Sequence, residues 1–115
     1  MMRWLTRREN ISARVARRLV EMYDEGQTGY DSIDWTRRRL SDEAKPIVVD
    51  FCLRVVRDSV EPSERWRALY GLSIIEDVSV ITDLQEIARS LDAEGIEDHL
   101  RRTIEYLQRR AERQR

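Results

Sequence analysis

The chain has 115 residues, of which 37% are charged, 41% are hydrophobic, 4 are glycine and 2 are proline. This length fits one domain, and this composition favours amphipathic helices over disorder or a sandwich of short strands. Residues 1–40 hold nine arginines and six acids, residues 41–100 six bases and fourteen acids, and residues 101–115 six arginines and two acids. Basic ends around an acidic middle argue against one continuous surface for a polyanion.

The compartment is predicted from the single cysteine and from the lack of long apolar runs. Cys52 alone excludes an intrachain disulfide and is typical of a small buried hydrophobe. The basic N-terminus is not followed by the apolar stretch of a secretory signal. Asp50, Arg54 and Arg57 interrupt the most hydrophobic segment well short of the roughly 20 residues that cross a bilayer. We therefore expect a cytoplasmic protein without a membrane span.

The first predicted helix follows a basic lead-in at residues 1–9. It begins at a cap on Asn10 or Ser12 and reaches about Glu25, because apolar residues recur on one side at helical spacing. Two glycines within residues 26–29 then break it, and a short helical turn is expected from Asp31 or Ser32 through Trp35 toward Leu40.

The second long helix is predicted from a cap at Ser41 to about Val60, with Asp42 and Glu43 in its first turn. Its apolar residues nearly encircle it, so it should be the central and most buried helix. The run Ile47-Val48-Val49 would also suit a strand, but the segment is long and its charged strip has helical spacing. That strip comprises Asp50, Arg54, Arg57 and Asp58.

Three further helices are predicted in the rest of the chain. Residues 61–63 should end the central helix and cap the next, which runs through Ile75. After a tight turn at residues 76–77, a helix follows over 80–91, then a loop over 92–95 and a last helix from Ile96. The polar residues 110–115 are expected to fray. The prediction is thus one all-α domain of five or so helices, spanning residues 1–115.

Residues 64–91 resemble one HEAT-like repeat, in which two antiparallel helices are joined by a short turn that holds an aspartate. The match is carried by Arg65, Ala68, Gly71, Leu72, Ile75 and Asp77, followed by Val80, Ile81, Leu84, Ile87 and Ala88. The pattern is physically intelligible, since small residues let helices approach closely and leucine-type residues fill the seam between pairs. The chain departs from the family at Glu76, Val78 and Thr82, where glycine or proline is frequent.

The resemblance implies a short α-solenoid or a compact helical bundle that binds another protein. Repeat proteins need about three units to hold a core, and this chain has fewer, so an apolar end face for self-association is an open alternative. In HEAT-like folds the second helix of a pair lines the binding surface, which implies Asp83, Glu86 and Arg89. The strip of Asp50, Arg54 and Arg57 would extend that surface.

Catalytic and metal chemistry have little support in the sequence. His99 is the only histidine and Cys52 the only thiol, and they lie on different predicted helices. One histidine and one cysteine cannot supply the usual zinc ligand sets, and the carboxylate pairs are typical of solvated helix surfaces. We therefore expect no enzyme activity, no catalytic residue, no metal and no cofactor.

Two kinds of macromolecular partner remain. Trp66 and Tyr70 lie four residues apart on one predicted helix and would bracket a groove for a partner protein, or else pack against a neighbouring helix. The arginine-rich terminal segments, with Trp4, Trp35 and Tyr30 nearby, offer phosphate contacts and stacking, although the acidic middle weighs against nucleic acid. The sequence therefore predicts a protein-binding adaptor, regulator or inhibitor, with nucleic-acid binding as the alternative.

Overall fold

A computed structural model describes residues 11–34 and 40–114 of the chain. Within them the predicted all-α class is confirmed, because the regular structure consists of helices and one isolated parallel bridge between Ile11 and Leu40. The α-helices are α1 (Ala13–Asp24), α2 (Asp31–Asp34), α3 (Lys45–Asp58), α4 (Pro62–Ile75), α5 (Ile81–Ala88) and α6 (Glu97–Arg113).

The chain divides into two units, residues 1–51 and residues 52–115, with the boundary inside α3. The first unit holds α1, α2 and the first half of α3, and the second holds the rest of α3 together with α4, α5 and α6. The single domain expected from chain length stays a prediction.

Helix α1 begins as predicted, because Ser12 caps it: the Ser12 hydroxyl accepts a hydrogen bond from the Val15 N–H at 3.2 Å. The alternative cap, Asn10, lies outside the described residues. The chain leaves the helix through Gly26, whose positive φ of 73° suits glycine. Ala16 is the buried residue of this helix, and Val15 remains 42% exposed.

Three aromatic rings pack together in the first unit. The Phe51 ring lies edge-on to Tyr23, with centroids 5.0 Å apart, and nearly parallel to Tyr30 at 6.0 Å. Tyr30 and Phe51 are buried. Such pairs stabilise beyond the area that they bury, so this cluster joins the end of α1, the start of α2 and the middle of α3. The predicted continuation from Trp35 to residue 39 lies outside the described residues.

Helix α3 is shorter than predicted at both ends. The Ser41 hydroxyl accepts from the Ala44 N–H, as a cap should, but Asp42 and Glu43 lie in a turn that precedes the helix. Val60 lies beyond the last residue of α3 and is 90% exposed. The expected burial is confirmed between these ends, where the buried residues are Val48, Val49, Phe51, Cys52, Leu53, Val55 and Val56.

Helix α4 starts with Pro62 in its first turn, where a missing N–H has little cost. The N-cap is Glu61, whose side chain makes no capping bond, whereas residues 61–63 together were expected to cap. Arg65, near the start of α4, forms hydrogen bonds with backbone carbonyls of two other segments. Its guanidinium donates to the Val56 carbonyl at 2.6 Å, to the Asp92 carbonyl, and to the Glu94 carbonyl at 3.4 Å.

The predicted turn after α4 is confirmed, with Glu76 in the left-handed conformation at φ 59°. The Asp77 carboxylate then accepts from the Ser79 N–H and caps a 3-10 turn at Val78–Val80, which leads into α5. Helix α5 ends at Ala88 rather than Leu91. A second 3-10 turn, Leu91–Ala93, begins at the last residue of the predicted helix and extends into the segment expected to be a loop.

Helix α6 packs against both α4 and α5. Its buried residues Leu100, Thr103 and Leu107 recur at the spacing of one helix face. The helix continues to Arg113, whereas the chain was expected to fray from Arg110. The reason is a tertiary contact: Arg110 donates to the Glu76 carboxylate at 3.0 Å and so holds the last turns of α6 against the end of α4.

Candidate binding groove between α4 and α6

A groove of about 570 Å³ runs between α4 and α6 in the second unit. Its volume falls in the range of ordinary ligand sites, about 300–1,000 Å³. Apolar atoms make up most of its lining. The lining residues are Trp66, Leu69, Tyr70, Ser73 and Ile74 from α4, and His99, Arg102, Thr103, Tyr106 and Arg109 from α6.

The spacing of residues along α4 decides which of them are buried and which are exposed on the groove wall. Ala68, Leu69 and Leu72 are buried, while Trp66 and Tyr70, one turn apart, remain 40% and 55% exposed. Trp66 and Tyr70 are the pair that the sequence predicted to bracket a partner groove, and the structure places both on its wall. Whether a partner binds there stays a prediction.

The α6 wall is a stripe at positions i, i+3, i+7 and i+10, formed by His99, Arg102, Tyr106 and Arg109. All four are exposed, and Thr103 beside them is buried at 7% exposure and forms part of the floor. The sequence offered Arg102 and Arg109 only as members of the arginine-rich C-terminal segment for nucleic acid, and it did not single out Tyr106. The helical spacing of this stripe was the signal that could have found them.

One end of the groove is closed by stacked rings. The Trp66 indole lies on the His99 imidazole, with centroids 4.7 Å apart and planes inclined by 11°. Each ring therefore covers one face of the other and links the start of α4 to the first turns of α6. In this contact His99 has a packing role. That His99 is not catalytic stays a prediction.

A second link is made by Glu76 just after α4. Its carboxylate accepts from the Tyr106 hydroxyl at 2.8 Å and from Arg110 at 3.0 Å, and Glu76 and Arg110 are both about two thirds buried. The hydrogen bond to Glu76 raises the pKa of Tyr106 above its usual value. Because the bond holds the phenol, the position of the Tyr106 side chain on the groove wall is fixed.

The groove carries unbalanced positive charge. Among the described residues that line it, none is acidic, whereas Arg102 and Arg109 are basic. Neither arginine has an ion-pair or hydrogen-bond partner in residues 11–34 and 40–114. Asp98, one turn before Arg102, instead accepts from Arg101 at 2.7 Å, and that hydrogen bond lowers the pKa of Asp98. The chain is slightly acidic overall, but this surface is basic.

The other predicted binding residues lie outside this groove. Asp50, Arg54 and Arg57 are exposed along α3, which confirms the predicted polar strip of that helix. On α5, Glu86 and Arg89 are exposed and Asp83 is half-buried. None of these six residues lines the groove. The structure therefore brings Trp66 and Tyr70 together with α6 residues, not with the charged residues of α3 and α5.

A smaller groove of about 340 Å³ lies on a different face of α6, near the end of α5. Its charged residues are of both signs, since Glu97, Arg101 and Glu105 all line it. Arg101 is already paired with Asp98. This groove therefore lacks the single-sign charge of the larger one.

The described residues contain no cluster of three or more histidine, cysteine or acidic side chains suited to a metal ion. Cys52 is buried and is not part of a disulfide. Among the helices that the structure describes, none combines the length and the hydropathy needed to span a bilayer. No protein-family model, curated protein or solved structure matches the chain.

Proposed function

We propose that the chain is a non-catalytic protein-binding module that receives its partner in the groove between α4 and α6. One observation carries the proposal: exposed tryptophan, tyrosine and arginine side chains meet over a buried floor on two packed helices. These three residue types are enriched among the residues that dominate binding energy at protein interfaces. The proposal includes a cytoplasmic location, which a single buried cysteine outside any disulfide favours.

The walls of the groove are positioned before any partner arrives. Trp66 is stacked on His99, and the Tyr106 hydroxyl is bonded to Glu76. Side chains that are already ordered lose little conformational entropy on binding, so more of the contact energy appears as affinity. Tyr70 is the most exposed aromatic residue of the groove, and it would gain the most buried area in a complex.

The test is site-specific photo-crosslinking in cells of the source organism. A photoreactive phenylalanine analogue replaces Tyr70 in the groove, Glu86 on the predicted α5 surface, or Glu43 in the exposed turn before α3. We expect a defined partner to crosslink at position 70 and to be lost when Arg102 and Arg109 are both changed to glutamate. Crosslinking at position 86 alone would move the interface to the charged face of α5 and overturn the groove proposal.

Self-association is one form of the same proposal. Light scattering coupled to size-exclusion chromatography, on the intact chain and on Tyr70→Glu, decides whether the partner is a second copy. If the intact chain is a dimer and Tyr70→Glu is a monomer, the groove is a homotypic interface.

Nucleic-acid binding remains the alternative because Arg102 and Arg109 lie beside Tyr70 and Tyr106. Two other arginines of α6 support it less, since Arg101 and Arg110 are paired with Asp98 and Glu76. A nucleic-acid binder should hold a single-stranded oligonucleotide with an affinity that falls steeply with salt concentration. Tight, salt-sensitive binding of that kind, lost in the double variant, would replace the protein-binding proposal.

A further inference from the structure

We propose that the partner segment is an acidic amphipathic helix, with two carboxylates seven residues apart that face Arg102 and Arg109 and apolar side chains between them. This inference rests on the proposed function, and it adds the chemical class and the spacing of the partner's contact residues. It is argued from the dimensions of the groove, its charge and the state of its aromatic rings.

The dimensions of the groove fit a third helix. The α6 wall extends from His99 to Arg109, which at 1.5 Å per residue is about 15 Å or nearly three turns. The α4 wall from Trp66 to Ile74 gives about 12 Å on the same scale. Two packed helices with an open groove between them are the usual receptor for an amphipathic helix, whose apolar residues recur at i, i+3, i+4 and i+7.

The spacing of the two arginines sets the spacing expected in the partner. Arg102 and Arg109 are seven residues apart on one face of α6, a rise of about 10.5 Å. Two carboxylates at i and i+7 of a helix aligned with the groove have the same rise, so both ion pairs form without distortion of either helix. Because neither arginine forms an ion pair or a hydrogen bond with a described residue, binding breaks no ion pair that the structure shows there.

The middle of the groove requires apolar side chains in the partner. Between the two arginines the described surface is mostly apolar: it holds the Tyr70 and Tyr106 rings, Ile74 and the buried Leu69, with the hydroxyl-bearing Ser73 and Thr103 beside them. Residues at i+3 and i+4 of the partner helix would contact this surface. Burial of leucine, isoleucine or phenylalanine there supplies affinity, whereas the ion pairs at the rim supply orientation and selectivity.

The aromatic rings favour a peptide over a nucleic acid. A stacking platform for bases needs open ring faces, but the Trp66 and His99 rings already cover one face of each other. Tyr106 is held through its hydroxyl by Glu76. Among the described lining residues, phosphate contacts would come from two arginines separated by about 10.5 Å of helical rise, with a mostly apolar surface between them.

The experiment is a display selection of helix-stabilised peptides on the full chain, with both charged and apolar positions randomised. We expect enriched peptides to carry aspartate or glutamate at i and i+7 and aliphatic or aromatic residues at i+3 and i+4. Their affinity, measured by fluorescence anisotropy, should fall about tenfold or more on Arg102→Glu/Arg109→Glu. Peptides with lysine at i and i+7 should bind that variant better than they bind the intact chain.

The matched control is Arg14→Glu/Arg17→Glu, which changes the net charge equally at two exposed α1 residues that have no described partner. Peptide affinity should stay within about twofold for this variant, since only long-range charge has changed. Circular dichroism establishes that each variant is folded. A loss of affinity as large as that of the groove variant would show a general charge effect and would overturn the proposal.

The outcomes separate this inference from the proposed function. If enriched peptides lack the paired acids but still lose binding on Tyr70→Ala, the groove is a peptide site and only the acidic-helix proposal fails. If enriched peptides are unaffected by Tyr70→Ala and by the double variant, or if none is enriched, both proposals fail. If a single-stranded oligonucleotide displaces every peptide, the site belongs to nucleic acid and both fail.

Discussion

Removal of the Arg65 side chain should destabilise the second unit more than removal of any exposed arginine. In Arg65→Ala three backbone carbonyls lose their donor: Val56 at 2.6 Å, Asp92, and Glu94 at 3.4 Å. Val56 lies in the last turn of α3, where carbonyls have no partner within the helix and a cation is favourable. The other two carbonyls lie in the segment between α5 and α6.

The magnitude follows from the two better hydrogen bonds. A bond to a charged donor contributes about 1.5–3 kcal/mol, and the lower figure applies because Arg65 is only half-buried. The contact at 3.4 Å adds little. The expected loss in Arg65→Ala is therefore about 3 kcal/mol, a large part of the 5–15 kcal/mol typical of a domain. Arg65→Lys, with one compact ammonium, should reach one carbonyl and lose about half as much.

The assay is equilibrium unfolding in urea, followed by circular dichroism at a helical wavelength, for the intact chain and the variants. Arg102→Ala is the control, because it removes an exposed arginine without a described partner and should change stability by less than about 0.5 kcal/mol. Should Arg65→Ala match that control, or Arg65→Lys restore full stability, the three-carbonyl account would be wrong.

Three further predictions concern a cap, the core and a titrating contact. Ser12→Ala removes the hydroxyl that caps α1 and should lower the free energy of unfolding by about 1 kcal/mol in the same urea assay. Leu72→Ala empties a fully buried site and should cost about 2–5 kcal/mol, whereas Val60→Ala, at a site 90% exposed, should cost less than about 0.5 kcal/mol. Tyr106→Phe removes the hydrogen bond to Glu76, so the variant should have a lower free energy of unfolding than the intact chain, by an amount that does not change near neutral pH. Folding raises the pKa of Tyr106, so this difference between the two proteins should shrink only as pH rises above about 10 and through the raised value. A difference that stays constant across alkaline pH would contradict a hydrogen bond from the Tyr106 hydroxyl to Glu76.

Helix boundaries were predictable where a local signal sets them. Ser12 was one of the two caps predicted for α1, and the helix starts at Ala13, directly after it. The start of α3 was predicted less well, because Ser41 caps a turn before the helix proper. The end of α3 was placed too late: the helix ends at Asp58, and the hydroxyl of the next residue, Ser59, accepts from the Glu61 N–H at 3.2 Å in the connection to α4.

The end of α6 shows what local sequence cannot predict. Residues 110–115 are polar, so composition alone indicates a fraying tail. The Arg110 to Glu76 ion pair joins residues 34 positions apart in the chain. A contact of that separation depends on how α4 and α6 pack, which no pattern within either helix specifies.

For the same reason, the sequence predicted only the α4 side of the groove. Trp66 and Tyr70 could be placed on one side of a helix from their spacing alone. Their neighbours on α6 depend on which face of α6 turns toward α4, and that is decided by the buried positions Leu100, Thr103 and Leu107. Once that face is known, the stripe from His99 to Arg109 follows from helical geometry.

The arginines of α6 differ in whether the chain supplies them with an acidic partner. Arg101 and Arg110 each have an acidic partner in the chain, and neither lines the larger groove. Arg102 and Arg109 line it and have no described partner. Arg113, at the end of α6, also has no described ion-pair partner but does not line the groove. Among the four arginines from Arg101 to Arg110, the two without an ion pair are the two over the apolar floor, so positive potential is left where an acidic partner would use it.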